Sequence, residues 1–225
     1  MKIILFGATG MVGQGVLREC LLDSEVTEVL AVVRKASGQA NPNAKLKELV
    51  HADFYDFSAV ENQLAGYDAC LFCLGVSAAG LDEAQYHHIT YNLTMAAAEV
   101  LARRNPGMTF VYVSGSGTDS SEHGRSMWAR VKGKTENALL KMPFKASYMF
   151  RPAYIQPLHG VTSRTRWYRI IYAVFGPLYP ILRVLLPKYV TTSEQVARAM
   201  LTAVKRGADR PVLENHDINR LAQEA

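Results

Sequence analysis

The chain has 225 residues, 49% of them hydrophobic and 20% charged, with a formal net charge of +5. That length buries one good core with room for a small appendage, and the composition is that of a globular protein rather than a disordered one. The mild positive balance favours anionic ligands. No lysine or arginine cluster interleaves with aromatics as a base-stacking platform requires, so nucleic acid is set aside as a partner. Three cysteines cannot all pair, and the chain opens on a strand pattern rather than a signal peptide; both features point to a reducing cytoplasm.

Residues 1–6 are an apolar run with two β-branched isoleucines, which predicts a buried strand. Gly7-Ala8-Thr9-Gly10-Met11-Val12-Gly13 follows at once, and apolar positions at Val12, Val16, Leu17 and Leu21 predict a helix behind it. Strand, glycine-rich turn and helix in that order make a nucleotide-phosphate site. The glycines let the backbone approach a pyrophosphate, and the helix N-terminus presents free N–H groups to the anion. The spacing is GxxGxxG rather than GxGxxG. A tight turn with no ligand is the alternative, and the flanking strand and helix argue against it.

Further strands are expected over 28–33, 46–50, 70–74, 108–113 and 146–150. Between them, Gly38 and Pro42 break a polar loop over 35–43, and Ser58 with Glu61 has the spacing of a capping box opening a short helix to Leu64. A long helix is expected over 82–103, ended by Asn105-Pro106-Gly107, and another over 127–141, stopped before Pro143. This alternation implies an α/β fold. We expect a Rossmann-like, doubly wound parallel sheet in the order 3-2-1-4-5-6, with ligand at the carboxyl ends of the strands near the switch point. After residue 150 the alternation lapses. Residues 151–157 read as loop; Thr192 with Gln195 opens a helix over 193–206 that Gly207 stops; 211–214 make a short strand, and Asn215 caps a last helical turn. The whole of 1–225 reads as one domain, with 151–225 as its small substrate-side or lid portion.

The end of the second strand chooses between two dinucleotides. A carboxylate there would bond the 2′-hydroxyl of NAD, and an arginine would accept the 2′-phosphate of NADP. Here the strand ends Val33-Arg34-Lys35, so NADP is favoured over NAD, with Arg34 forking onto the phosphate and Lys35 adding a point charge. Asp53 follows the third strand where an adenine would pass; it serves equally well as a loop or capping aspartate. Gly75 follows the fourth strand, where a missing side chain lets the ribose approach. Cys70 and Cys73 form a CxxC, but on a strand residues three apart point to opposite faces, so buried structural cysteines are expected rather than a redox or metal pair. The six histidines show no metal spacing, and no metal is expected.

Together Gly7-Ala8-Thr9-Gly10-Met11-Val12-Gly13, Arg34, Asp53, Cys73-Leu74-Gly75, Val113-Ser114-Gly115-Ser116, Val131-Lys132-Gly133, Arg151-Pro152 and Glu214-Asn215 resemble the short-chain dehydrogenase/reductase superfamily in its atypical or extended branch. The nearest likeness is to the Tat-interacting-protein-like and NmrA-like group of NADP-binding proteins. The resemblance implies that Gly7, Thr9, Gly10, Met11, Val12 and Gly13 hold the pyrophosphate, Asp53 the adenine, and Lys132 the nicotinamide ribose. It also implies that Ser114 bonds the substrate oxygen and that Asn92 supports the lysine. In that superfamily a tyrosine four residues before the lysine moves the proton. This chain has Trp128 there, and an indole N–H donates but does not titrate near neutral pH. Tyr86, Tyr91, Tyr112, Tyr154 and His123 are the other candidates; Tyr154, soon after the sixth strand, is preferred among them.

Three readings follow. The first is an NADP(H)-binding oxidoreductase acting on a small or apolar carbonyl or quinone-type substrate. The second is a catalytically silent NADP-binding regulatory or scaffold protein, which Trp128 favours. The third is an NAD-dependent epimerase or dehydratase, for which the C-terminal portion looks short. Residues 167–186 are strongly apolar, but Arg169 and Arg183 interrupt them and Gly176, Pro177 and Pro180 break any single helix, so a spanning helix is rejected. A lid or core segment is expected there first, a homodimer face second and contact with a membrane surface third.

Overall fold

The computed structural model describes residues 1–36, 43–160, 179 and 185–224. In chain order the elements are β1 (Lys2–Phe6), α1 (Met11–Leu22), β2 (Glu28–Val33), β3 (Leu46–Val50), a 3-10 helix (Ser58–Leu64), β4 (Ala69–Phe72), α2 (Glu83–His87), a π-helical turn (His88–Asn92), α3 (Leu93–Arg104), β5 (Thr109–Val113), α4 (Met127–Leu140), β6 (Ala146–Arg151), β7 (Tyr154–Gln156), β8 (Val190–Thr192), α5 (Ser193–Arg206), β9 (Val212–Glu214) and α6 (Asn215–Leu221).

The main sheet is parallel in the order β3-β2-β1-β4-β5-β6-β9. The expected order of six is present, and β9 adds a seventh strand through the register Phe150 to Leu213. β1 pairs with β2 on one side and β4 on the other, Ile4 lying against Leu30 and Cys70. The direction of winding reverses between β1 and β4, which opens a crevice at the carboxyl ends of those strands.

Alternation along β1 separates two cores. Ile3 and Leu5 join Val16 and Cys20 of α1, Val196 and Met200 of α5, and Ile218 of α6. Ile4 and Phe6 join Phe72, Phe110, Ala97 and Leu101 of α3, and Leu139 of α4. Because β2 and β4 are covered on both faces they read as nearly unbroken apolar runs, as buried parallel strands do. Cys70 belongs to the second layer and Cys73 packs on the first, so the CxxC is two free thiols divided by the sheet.

Several elements depart from expectation. The helix expected over 82–103 is broken by the π turn at His88–Asn92, and its start is fixed by a capping box between Asp82 and Gln85. Ser58 makes no cap; the segment is 3-10, and Ser58 N–H instead donates to Asp56 Oδ1 at 2.8 Å. Within the expected loop over 151–157, Tyr154–Gln156 pairs in parallel with Val190–Thr192. Glu214 rather than Asn215 is the N-cap of α6. The box at Thr192 does form, with Gln195 N–H donating to Thr192 Oγ1 at 3.0 Å and Thr192 N–H to Gln195 Oε1 at 3.1 Å. Of the apolar stretch over 167–186, all but Tyr179, Leu185 and Leu186 lies outside the described residues. Among the described residues no helix is long and apolar enough to cross a membrane.

Candidate functional site

β1 delivers the chain to Gly7, which turns it back at φ +81°. A Cβ on Gly7 would stand 2.7 Å from the Cys73 carbonyl oxygen, so the turn lies hard against the chain leaving β4. A Cβ on Gly13 would stand 2.0 Å from the Gly7 carbonyl oxygen. No other residue fits either position without moving backbone. Gly10 N–H donates to Gly7 O at 2.9 Å, and Thr9 O accepts from Gln14 Nε2 at 3.1 Å. Gly10 is the N-cap of α1 and gives it no side-chain acceptor, and no acidic residue stands in the first turn. The N–H groups that begin α1 at Met11, Val12 and Gly13 therefore form a positive helix end that no side chain covers. A cradle lined by backbone, with a helix N-terminus at its floor, fits a pyrophosphate.

Arg34 and Lys35 follow β2 and are exposed, with no carboxylate partner among the described residues. Asp53 is exposed after β3, and its Oδ1 accepts the Tyr55 N–H at 2.8 Å, as a loop aspartate does. Tyr55 in turn stacks on His88 of the π turn, ring centroids 4.4 Å apart. Asn92 is exposed and its Nδ2 meets His88 Nδ1 at 3.2 Å.

The other end of the crevice is built on β4, β5 and α4. Gly133 has no room for a Cβ, which would fall 1.8 Å from the Asp119 carbonyl oxygen, so α4 lies directly against the chain that follows β5. This close approach buries Lys132, which is 8% exposed. Its ammonium lies over the Tyr112 ring, 5.3 Å from the centroid, and reaches the Val113 carbonyl at 3.5 Å. A Cβ on Gly75 would be 4.0 Å from Lys132 Nζ. Burial pulls the ammonium down to about 8, against the opposing pull of Glu136. The short segment from Cys73 to Gly75 thus touches the glycine cradle at one end and the lysine at the other.

Ser114 is buried where β5 ends, and its hydroxyl donates to the Phe150 carbonyl at 3.1 Å. Trp128 lies one helical turn before Lys132 on α4, and its ring end stands 3.4 Å from a Cβ built on Gly117. Tyr154 lies on β7, its hydroxyl donating to Gln156 Oε1 at 2.9 Å, and burial raises it above the usual phenol range. Tyr112 is fully buried beneath Lys132, which raises it strongly. Tyr91 is held between His87 and Lys134, and His123 is exposed.

One group of charges behind Lys132 was not apparent in the sequence. Arg151 Nε donates to Glu136 Oε1 at 3.1 Å, and its Nη2 donates to Glu136 Oε2 and to Ser120 Oγ. Its Nη1 donates to Glu214 Oε1 at 3.1 Å. Glu136 is wholly buried, one helical turn beyond Lys132. The available signal was the four-residue spacing that puts the two on one face. Among the described residues no cluster of His, Cys, Asp or Glu could hold a metal.

A parallel doubly wound sheet, a glycine cradle at its switch point and a buried lysine beside it define a dinucleotide-binding protein of Rossmann type. Residues 7–142 match the family described as NAD(P)H-binding, well over half of the chain, and the chain belongs to that family. It is similar to Protein FMP52, mitochondrial, of Candida albicans, 25% identical over 68% of this chain and 66% of that protein. It is similar also to the mitochondrial fmp52 protein of Emericella nidulans, 30% identical over 68% and 66%, so the chain matches just under two thirds of each. The FMP52 protein of Chaetomium globosum is 25% identical over 98% of this chain and 96% of its own length. The fold is shared with the Bordetella bronchiseptica enzyme WbmG in complex with NAD, with TM-score 0.67, 12% identity and coverage of 95% of this chain and 71% of that one. It is shared too with an oxidoreductase of the short chain dehydrogenase/reductase family from Burkholderia thailandensis, with TM-score 0.66, 15% identity and coverage of 91% and 85%. These relatives correct the expectation of a cytoplasmic setting, because the FMP52 proteins are named mitochondrial.

Proposed function

We propose that this protein is an NADP(H)-binding oxidoreductase of atypical short-chain type, acting on a small or apolar carbonyl or quinone-type acceptor in a mitochondrial setting like the one its relatives' names give. The observation that carries the reading is the segment Cys73–Gly75, which ties the glycine cradle to Lys132. A dinucleotide with its pyrophosphate on α1 and its nicotinamide ribose at Lys132 is what those two sites accept together. Arg34 and Lys35, with no carboxylate partner among the described residues, favour a 2′-phosphate. Asp53 stands on the adenine side, and Gly75 leaves room for the ribose.

When bound, the dinucleotide supplies or accepts the hydride. Lys132 holds a ribose hydroxyl and adds positive charge where an acceptor oxygen gains electron density. Ser114 already gives its proton to the Phe150 carbonyl, so toward an acceptor it offers lone pairs unless the hydroxyl turns. Trp128 supplies an apolar wall and no titrating proton. An acceptor whose reduced form takes its proton from water, such as a quinone, fits this wall better than a simple ketone does. Tyr154 is the phenol proposed to serve carbonyl substrates. A second reading, a silent NADP-binding protein, is favoured by the same Trp128.

The test is a parallel titration of wild type and Arg34→Ala with NADPH and NADH, followed by nicotinamide fluorescence. The wild type is expected to prefer NADPH, and Arg34→Ala to weaken NADPH about tenfold, worth ~1.4 kcal/mol, with NADH unchanged. Absence of binding by either dinucleotide overturns both readings. Binding without turnover across quinones, aldehydes and ketones selects the silent one. Fractionation of cells carrying the tagged chain checks the mitochondrial setting.

A further inference from the structure

Lys132 is buried with no hydrogen-bonded carboxylate among the described residues: its ammonium reaches the Val113 carbonyl at 3.5 Å and the Tyr112 ring face. The other charges on α4 are engaged elsewhere. Arg130 pairs with Glu83 of α2 at 2.6 Å, and Lys134 lies over Tyr91 of the π turn. Facing Lys132 from the remaining elements are the neutral phenol of Tyr112 on β5 and, behind it, that of Tyr86 on α2. What is left is the carboxylate of Glu136, one turn along the same helix and 0% exposed. Glu136 is gripped by Arg151 of β6, and Arg151 reaches on to Glu214 of β9. Two carboxylates stand against one guanidinium, so the set carries one excess negative charge. The ammonium of Lys132 balances it.

We propose that the Glu136–Arg151–Glu214 set, buried at Glu136, is the counter-charge that keeps Lys132 an ammonium in the crevice, with Glu136 as a positioning residue for the dinucleotide site. This rests on the reading of Lys132 as the ribose contact. The arrangement has a physical economy: a carboxylate bonded directly to Lys132 would occupy donors that a ribose needs, whereas one a turn away acts through its field and takes none of the N–H groups beyond the one turned to the Val113 carbonyl. Arg151 fixes the Glu136 carboxylate through both of its oxygens, so the source of the field cannot swing onto the ammonium. Because Arg151 and Glu214 lie on β6 and β9, the electrostatics of Lys132 are tied to the edge of the sheet that leads into β7 and α6.

The test reads the titration of Lys132 directly, in the protein without dinucleotide. Lysines carrying carbon-13 at Cε are followed by NMR against pH, and the Lys132 signal is assigned by its loss in Lys132→Met. The wild type is expected to titrate near 8. Glu136→Gln is expected to lower the midpoint by about one unit or more, since an opposite charge has been removed. Glu214→Gln, on the partly exposed side of the set, should move it the same way by less. A purely structural role for Glu136 would change thermal stability and leave the midpoint alone. An unmoved Lys132 signal in folded Glu136→Gln overturns the proposal; should that variant not fold, an unmoved signal in Glu214→Gln overturns it. NADPH affinity measured over the same pH range should lose its alkaline limb earlier in the variants. If the wild type binds no dinucleotide, the functional reading falls, while the Lys132 titration still decides the electrostatic one.

Discussion

At the phosphate end of the crevice the groups on offer are backbone: the N–H groups that begin α1 and the turn from Gly7 to Gly13, where an added Cβ would stand 2.0 Å from a carbonyl oxygen. At the Lys132 end they are side chains: Lys132 over Tyr112, Ser114 bonded to Phe150 O, and Trp128 against Gly117. The first kind of site tolerates no added atom but is indifferent to chemistry. The second can exchange one side chain for another and keep its shape. That difference explains how a dinucleotide cradle can stay intact while a side chain at the other end, such as Trp128, is exchanged.

Substitutions at the two ends should have opposite signs. The largest effect is expected for Gly13→Ala. Its methyl overlaps the Gly7 carbonyl, so it should destabilise the fold by about 3 kcal/mol or more and abolish dinucleotide binding, read by thermal unfolding and by fluorescence titration. Lys132→Met should go the other way in stability. Burial lowers the ammonium from an ordinary 10.5 to about 8, so below pH 8 the folded protein bears a penalty of about 3 kcal/mol that fades as pH rises to 10.5. Wild-type stability should therefore rise across that window relative to Lys132→Met, in denaturant titrations at pH 7 and pH 10. Near pH 7 the variant should be the more stable protein and the poorer binder; a parallel pH dependence in the two proteins would contradict this account. The smallest change in stability, about 1 kcal/mol, is expected for Trp128→Tyr, which trims a partly buried ring. Its interest is catalytic: NADPH-dependent ketone reduction that is absent in wild type and present in the variant would show that the Lys132 end of the crevice lacks only a proton donor.

Much of the molecule was legible where local signals agree with the tertiary fold. β2 falls on the expected residues because a buried parallel strand is a continuous apolar run between breakers. The helix over 193–206 matches because Thr192, Gln195 and Gly207 mark its ends. What was missed depends on distant partners. Tyr154–Gln156 is strand only because residues 190–192 lie beside it, and the π turn breaks a helix whose apolar pattern gives no warning. At Ser58 the capping spacing is present but Asp56 takes the N–H and the chain winds as 3-10. In the site, the glycine turn was readable because it is contiguous. The Glu136–Arg151–Glu214 set joins residues 15 and 63 positions apart and has no local signature beyond the spacing of Glu136 from Lys132.

The pairing of β6 with β9 also bears on how the chain reaches this structure. β2 meets β3, β1 meets β2 and β5 meets β6 over modest distances in sequence, but Ile4 meets Cys70, and Phe150 meets Leu213, only after a loop of about 60 residues has closed, and that entropy must be met before the contact returns anything. Folding should therefore begin within the locally paired β1–β2–β3 and β5–β6, with the seventh strand joining late. Until it does, the exposed edge of β6 is an open template for another chain, and Arg151 waits for the second of its carboxylates.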